Sequence, residues 1–158
     1  MRKGFTLIEL LLVLAIISIL FAISIVNLNN LQQNTYQNTS GEIFISDLKL
    51  QQLKSMTGDN NSSSSFQPFG IHFETNSYTL FRGANYSSSN PENFTVELNP
   101  NLSFSTVKFA NSQIIFAKNS GEIVGFTEGN NTIIIRNSIT NTDSTITLNR
   151  YGVITHLD

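Results

Sequence analysis

The chain reads as an α+β fold in which one long N-terminal helix packs on antiparallel β-sheet. Three observations lead there. Residues 7–26 are almost wholly apolar. Residues 42–56 show helical periodicity after a polar stretch. Beyond residue 57, short runs of branched and aromatic residues alternate with turns rich in Asn, Ser and Gly. A length of 158 residues suits one domain with a leading helix rather than two globular domains.

The helix is expected from about residue 5 to residue 56. Its first half is apolar on every side, which suits lipid or the interior of a helix bundle. The polar stretch Asn27-Leu28-Asn29-Asn30-Leu31-Gln32-Gln33 contains neither Pro nor Gly, so the helix is expected to continue through it with a weakened middle around 27–30. From residue 42 the chain becomes amphipathic, with Phe44, Ile45, Leu48, Leu53 and Met56 assigned to the packing face and Asp47, Gln51 and Lys54 placed off it. Residues 57–65 (TGDNNSSSS) form a loop by composition.

Strands follow at 66–73 and 78–81, joined through Glu74-Thr75-Asn76-Ser77, a hairpin signal. After the polar loop 85–92, further strands are expected at 94–98, 104–109, 113–117, 122–126, 132–136, 144–148 and 153–155. Lys118-Asn119-Ser120-Gly121, residues 137–143 and Tyr151-Gly152 supply the later turns.

The N-terminus carries the functional signal. Arg2 and Lys3 precede the apolar run, and one carboxylate, Glu9, lies near its start. A charged side chain in a membrane-spanning helix is costly, so it marks a function and calls for a partner. A secretory signal peptide also begins with positive charge, but residues 7–26 exceed the roughly 7–15 residues of its apolar region. The nearest small-residue cleavage site, Ala22-Ile23-Ser24, lies inside the run. A simple signal anchor fits the length and leaves Glu9 without a role.

The stretch Gly4-Phe5-Thr6-Leu7-Ile8-Glu9-Leu10 resembles the processing site of type IV prepilins and type II secretion pseudopilins. The resemblance implies that a prepilin peptidase/methyltransferase cuts after Gly4 and methylates the new terminal amine of Phe5. It also implies that Arg2 and Lys3 stay cytoplasmic, in keeping with the positive-inside rule. Glu9 is then the assembly residue, the counter-charge for the amine of a neighbouring subunit. Opposite charges in an apolar bundle are costly singly and compatible when paired. More loosely, residues 114–155 resemble the closing strands of GspH/FimT-type minor pseudopilins, through the turn at Ser120-Gly121, a two-strand unit and a last strand at Gly152-Val153-Ile154.

The expected organisation is a leader at 1–4, a transmembrane and assembly half-helix at 5–26, an amphipathic half at 27–56 and an extracytoplasmic β-rich domain at 57–158. The pilin-like resemblance implies a single-pass protein of the inner membrane, assembled into a periplasmic or surface filament with other pilin or pseudopilin subunits.

No enzyme is expected. There is no G-x-S-x-G, H-E-x-x-H, P-loop or dinucleotide fingerprint, and the carboxylates are scattered. With no cysteine, thiolate metal sites and disulfides are excluded. His72 and His156 lie in different expected strands, each read as an exposed strand residue, and Asp143 and Asp158 are too few for a calcium loop. No cofactor or metal is expected. The formal charge is −2 and becomes more negative once Arg2 and Lys3 leave, so generic nucleic-acid binding is not expected. The alternative is a membrane-tethered binding module, such as a minor pilin capturing DNA. The arginine-rich C-terminus of DNA-binding relatives is absent here, and only Arg136 and Arg150 are candidates to converge.

Overall fold

The computed structural model describes residues 6–58 and 67–157, and the side chains of 22–38 lie outside that description. Among these residues one α-helix, α1 (Leu7–Thr57), is followed by eight strands, with a single 3-10 turn at Ala110–Ser112. In chain order these are β1 (Phe69–Phe73), β2 (Ser77–Arg82), β3 (Phe94–Glu97), β4 (Leu102–Val107), β5 (Gln113–Phe116), β6 (Thr132–Asn137), β7 (Thr142–Leu148) and β8 (Ile154–Leu157). They form two four-stranded sheets, with orders β3-β2-β1-β5 and β4-β6-β7-β8. Every strand pair is antiparallel. The α+β class with an N-terminal helix on antiparallel sheet is therefore as the sequence predicts.

Alternation decides which side chains meet the core. In β6, Ile133 and Ile135 are buried, and their cross-strand neighbours Phe104 and Ile146 bring the same face inward from β4 and β7. In β1 the odd positions Phe69, Ile71 and Phe73 face the helix side together with Tyr78 and Leu80 of β2. Phe44 of α1 is fully buried where these surfaces converge, with ring centroids 5.7 Å from Phe73, 5.3 Å from Tyr78 and 6.0 Å from Phe104. The two edge-on contacts, to Tyr78 and Phe104, suit the aromatic quadrupoles. One side chain thus joins the helix to both sheets. The Tyr78 hydroxyl donates to Asp47 Oδ2 at 2.6 Å. Burial, reinforced by that bond and the carboxylate charge, pushes the phenol well above its usual range.

The packing face of α1 differs from the expected one. Phe44 and Leu48 are buried, but so are Gln51 and Ser55, whereas Leu53 and Met56 are 54% and 47% exposed. Helical geometry explains the correction. At about 100° per residue, Leu53 lies nine positions and half a turn away from Phe44, while 44, 48, 51 and 55 share one stripe. Polarity misled because Ser55 is satisfied inside. Its Oγ accepts from the Phe69 amide at 3.0 Å and its carbonyl accepts from the Asn119 amide at 2.8 Å. Both bonds fasten the end of α1 to the start of β1 and to the turn after β5.

Gln52 fastens the other sheet. Its Nε2 donates to the Gly121 carbonyl at 2.9 Å and to the Tyr151 carbonyl at 2.6 Å. Gly152, at φ +69°, leaves no room for a side chain, since a Cβ would lie 2.7 Å from Gln52 Nε2.

Further expectations are corrected, completed or met. Residues 122–126 form no strand, and Ile123 makes only an isolated bridge to Phe116. That stretch is instead bent by Gly121 and Gly125, both at positive φ. The backbone of α1 runs unbroken through 27–30, in keeping with the expected continuation of the helix. The first strand starts at Phe69, after Pro68, whose missing N–H suits a strand entry. Of the expected loop 57–65, Thr57 belongs to α1 and residues 59–65 lie outside the described residues.

Gly70 packs so tightly that it yields a prediction. A Cβ there would sit 2.5 Å from Phe81 Cζ and 2.6 Å from the Ile114 carbonyl oxygen. The carbonyl belongs to the paired strand β5 and cannot swing aside. Gly70→Ala is expected to destabilise the domain by about 1–3 kcal/mol in denaturant titrations, the usual range for overpacking. An unchanged midpoint would contradict the β1–β5 register.

Candidate assembly and processing site

The described part of the site begins at Thr6. Thr6 is the N-cap of α1, with extended backbone (φ −82°, ψ 152°), and it forms a reciprocal capping box with Glu9. The Thr6 amide donates to Glu9 Oε2 at 2.9 Å and the Thr6 hydroxyl donates to the same oxygen at 2.8 Å. The Glu9 amide returns a bond to Thr6 Oγ1 at 3.3 Å. The carboxylate is therefore drawn toward the N-terminal end of the helix, where the exposed amides and the helix dipole favour negative charge.

Around it the surface is apolar on all sides. Leu7 and Ile8 are more than two-thirds exposed, and Leu10, Leu11, Leu12 and Val13 follow, all exposed. Among the described residues nothing packs on this apolar cylinder, a surface of the kind that lipid or other helices cover. Among the described residues no helix is long and apolar enough to cross a membrane, and part of the apolar run, 22–26, carries side chains outside the description. Gly4 and Phe5, the expected cleavage and methylation residues, also lie outside the described residues.

The family model described as the prokaryotic N-terminal methylation motif matches residues 1–25. The chain carries a type IV prepilin-like leader. The match covers Gly4, Phe5 and Glu9 and ends within the apolar run. No curated protein and no solved structure matches the chain.

Thr6 is the participant that the sequence reading missed. Its signal was present, since Thr6-Leu7-Ile8-Glu9 is a capping-box pattern directly before an apolar run. The resemblance assigned Glu9 outward, to a neighbour, and so hid its bond to the adjacent threonine.

The remaining candidates separate in space. His72, expected as an exposed strand residue, is half-buried and stacked on Tyr86, with centroids 4.0 Å apart and planes 7° from parallel. Burial holds its imidazole below the usual value, against the opposing charge of Glu74. His156 is exposed on β8 as expected. No cluster of three His, Cys, Asp or Glu suited to a metal exists among the described residues.

Arg136 and Arg150 do not converge. Arg136 pairs with Asp143 through two bonds, Nε at 2.7 Å and Nη2 at 2.8 Å, at one end of β7. These hydrogen bonds, reinforced by the opposite charges, hold the Asp143 carboxyl below, and the guanidinium above, their ordinary values. Arg150 follows the opposite end of β7 and meets Glu122 at 3.2 Å. Each guanidinium already faces a carboxylate, which makes a poor phosphate site.

Proposed function

We propose that the chain is a structural subunit of a type IV pilus or type II secretion pseudopilus. In this reading it enters the inner membrane as a single-span precursor with its β domain outside the cytoplasm. It is then cut after Gly4 and methylated on Phe5, and it joins a filament through its N-terminal helix. The reading assigns it no catalytic activity. A minor-subunit role, of the kind suggested by the GspH/FimT-like pattern of residues 114–155, belongs to the same proposal.

The observation that carries the reading is the methylation motif running directly into the apolar half of a helix, 7–26, that holds a single carboxylate. The capping box supports it by showing how Glu9 tolerates an apolar setting before assembly. Two charge-assisted bonds from Thr6 replace part of its lost hydration. On assembly, the methylated amine of a neighbour supplies the full counter-charge. Tethering alone requires a helix but no carboxylate, and the paired Arg136 and Arg150 give DNA capture no support.

Sheared filament fractions from cells producing the full chain test the reading. The chain is expected to sediment with the filament subunits. Its confinement to the membrane fraction, with filaments present and free of it, would argue for a tethered module.

A further inference from the structure

His72 is a titratable side chain for which filament assembly has no use. It stands in the middle of β1, and alternation turns it away from α1, onto the outer face of the first sheet with Gly70. Phe81 of β2 shares that face, pairs with Gly70, lies across it and is only 2% exposed. Tyr86, from the loop after β2, meets both rings. It lies flat on His72, with centroids 4.0 Å apart, and edge-on to Phe81 at 5.7 Å.

The polar ties from this loop to the strands are long. The Tyr86 amide donates to Gln113 Oε1 at 3.3 Å, Asn90 Nδ2 donates to the Arg82 carbonyl at 3.4 Å, and Glu92 stands 3.8 Å from Arg82. Shorter bonds stay within the loop, from Asn93 Nδ2 to the Ser87 carbonyl at 2.8 Å and from the Glu92 amide to Asn90 Oδ1 at 3.0 Å. The loop therefore holds its own shape and rests on the sheet largely through the Tyr86 ring. Its start is pinned where the Gly83 amide donates to the Pro68 carbonyl at 2.8 Å.

Protonation acts at this contact. His72 Nδ1 is buried and has no hydrogen-bond partner. The neutral imidazole can keep its proton on Nε2 and leave Nδ1 bare, whereas the cation needs a donor at both nitrogens. A charged donor at Nδ1 would be buried and unmet, which is costly. The residues facing His72 give it little help. Thr79 of β2 and Gln113 of β5 stand opposite and carry no charge, and Gln113 Oε1 is already taken by the Tyr86 amide. Glu74, two positions along β1, accepts from the Ser77 hydroxyl at 3.3 Å, and burial outweighs its charge. Glu97 of β3 is farther away, across from Ser77.

We propose that residues 84–93 are an acid-released strap, held closed over Phe81 by the His72–Tyr86 stack while His72 is neutral and lifted from the outer face of the first sheet when His72 gains a proton. The open form binds the proton more tightly, because its imidazole returns toward the ordinary value of about 6.5 while the closed strap holds it lower. The closed form is thus favoured at neutral pH and loses ground as pH falls through that value. The open fraction rises by up to about tenfold per pH unit until the closed form also takes the proton.

Hydrogen exchange of the full chain in detergent at about pH 7.5 and about pH 5.5, corrected for the intrinsic pH dependence of exchange, tests the strap. Peptides covering residues 77–93 are expected to lose protection by about threefold or more at the lower pH, while those covering β6 and β7 keep theirs. His72→Phe leaves an aromatic ring under Tyr86 and cannot titrate, so its strap should stay closed at both pH values. Imidazole NMR adds a second reading in a chain with two histidines. Tyr86→Ala should raise the titration of His72 and leave that of His156 where it is in the wild type. Equal protection of 77–93 at both pH values, a loss that persists in His72→Phe, or a His72 titration unmoved by Tyr86→Ala would overturn the proposal.

Discussion

Phe44→Ala is expected to cost about 3–5 kcal/mol of domain stability, the range for removing a buried aromatic ring. Phe44 is fully buried and touches Phe73, Tyr78 and Phe104, so its loss leaves a cavity between the helix and both sheets. Against a typical total of about 5–15 kcal/mol, that change brings the fold close to its threshold. Denaturant titration of the full chain in detergent, followed by tyrosine fluorescence in a protein without tryptophan, measures it. Leu53→Ala is the matched control. With its side chain 54% exposed, it should change stability by less than about 0.5 kcal/mol. Equal damage from the two would mean that the helix packs on the face first read from the sequence.

Glu9→Ala is expected to lower incorporation into filaments by at least about tenfold while leaving insertion and cleavage intact, because an amine loses its buried counter-charge. The substitution removes the only acid of the apolar half and raises its hydropathy, so membrane entry should be unharmed or improved. Cleavage should persist because Gly4 sets the cut. Pull-down with the other filament subunits reads the result. A Glu9→Ala chain that assembles as well as wild type would remove the carboxylate from the account and favour the tethered module. Thr6→Val adds a finer test, since it keeps the carboxylate and deletes the hydroxyl that now holds it. Its incorporation should fall between those of wild type and Glu9→Ala.

The parts of this fold governed by local pattern were legible in the sequence. Strands β6 and β7 alternate cleanly, and the Asn-Ser-Gly turns fall where backbone requires them, as at Asn141 and Gly152 with positive φ. The parts governed by tertiary partners were not. Ser55 and Gln51 look like solvent-facing residues, and only β1 and the turn after β5 show that Ser55 belongs inside. Residues 122–126 have the composition of a strand, yet the positive φ of Gly121 and Gly125 limits them to one bridge. His72 reads as a surface residue until the loop after β2 folds back and lays Tyr86 on its ring. At the candidate site, Gly4, Phe5 and Glu9 follow from a local motif, whereas the placing of Arg136 and Arg150 toward opposite ends of β7 shows only in the fold.

The central claim is that the first four residues are a leader removed before the helix is used for assembly. Intact-mass and N-terminal peptide mass spectrometry of the full chain, extracted from the membranes of cells containing the processing enzyme, tests it most directly. The account predicts a mature chain that begins at Phe5 and carries one added methyl group on its terminal nitrogen. A chain that retains Met1, or one cut near Ser24, would contradict it.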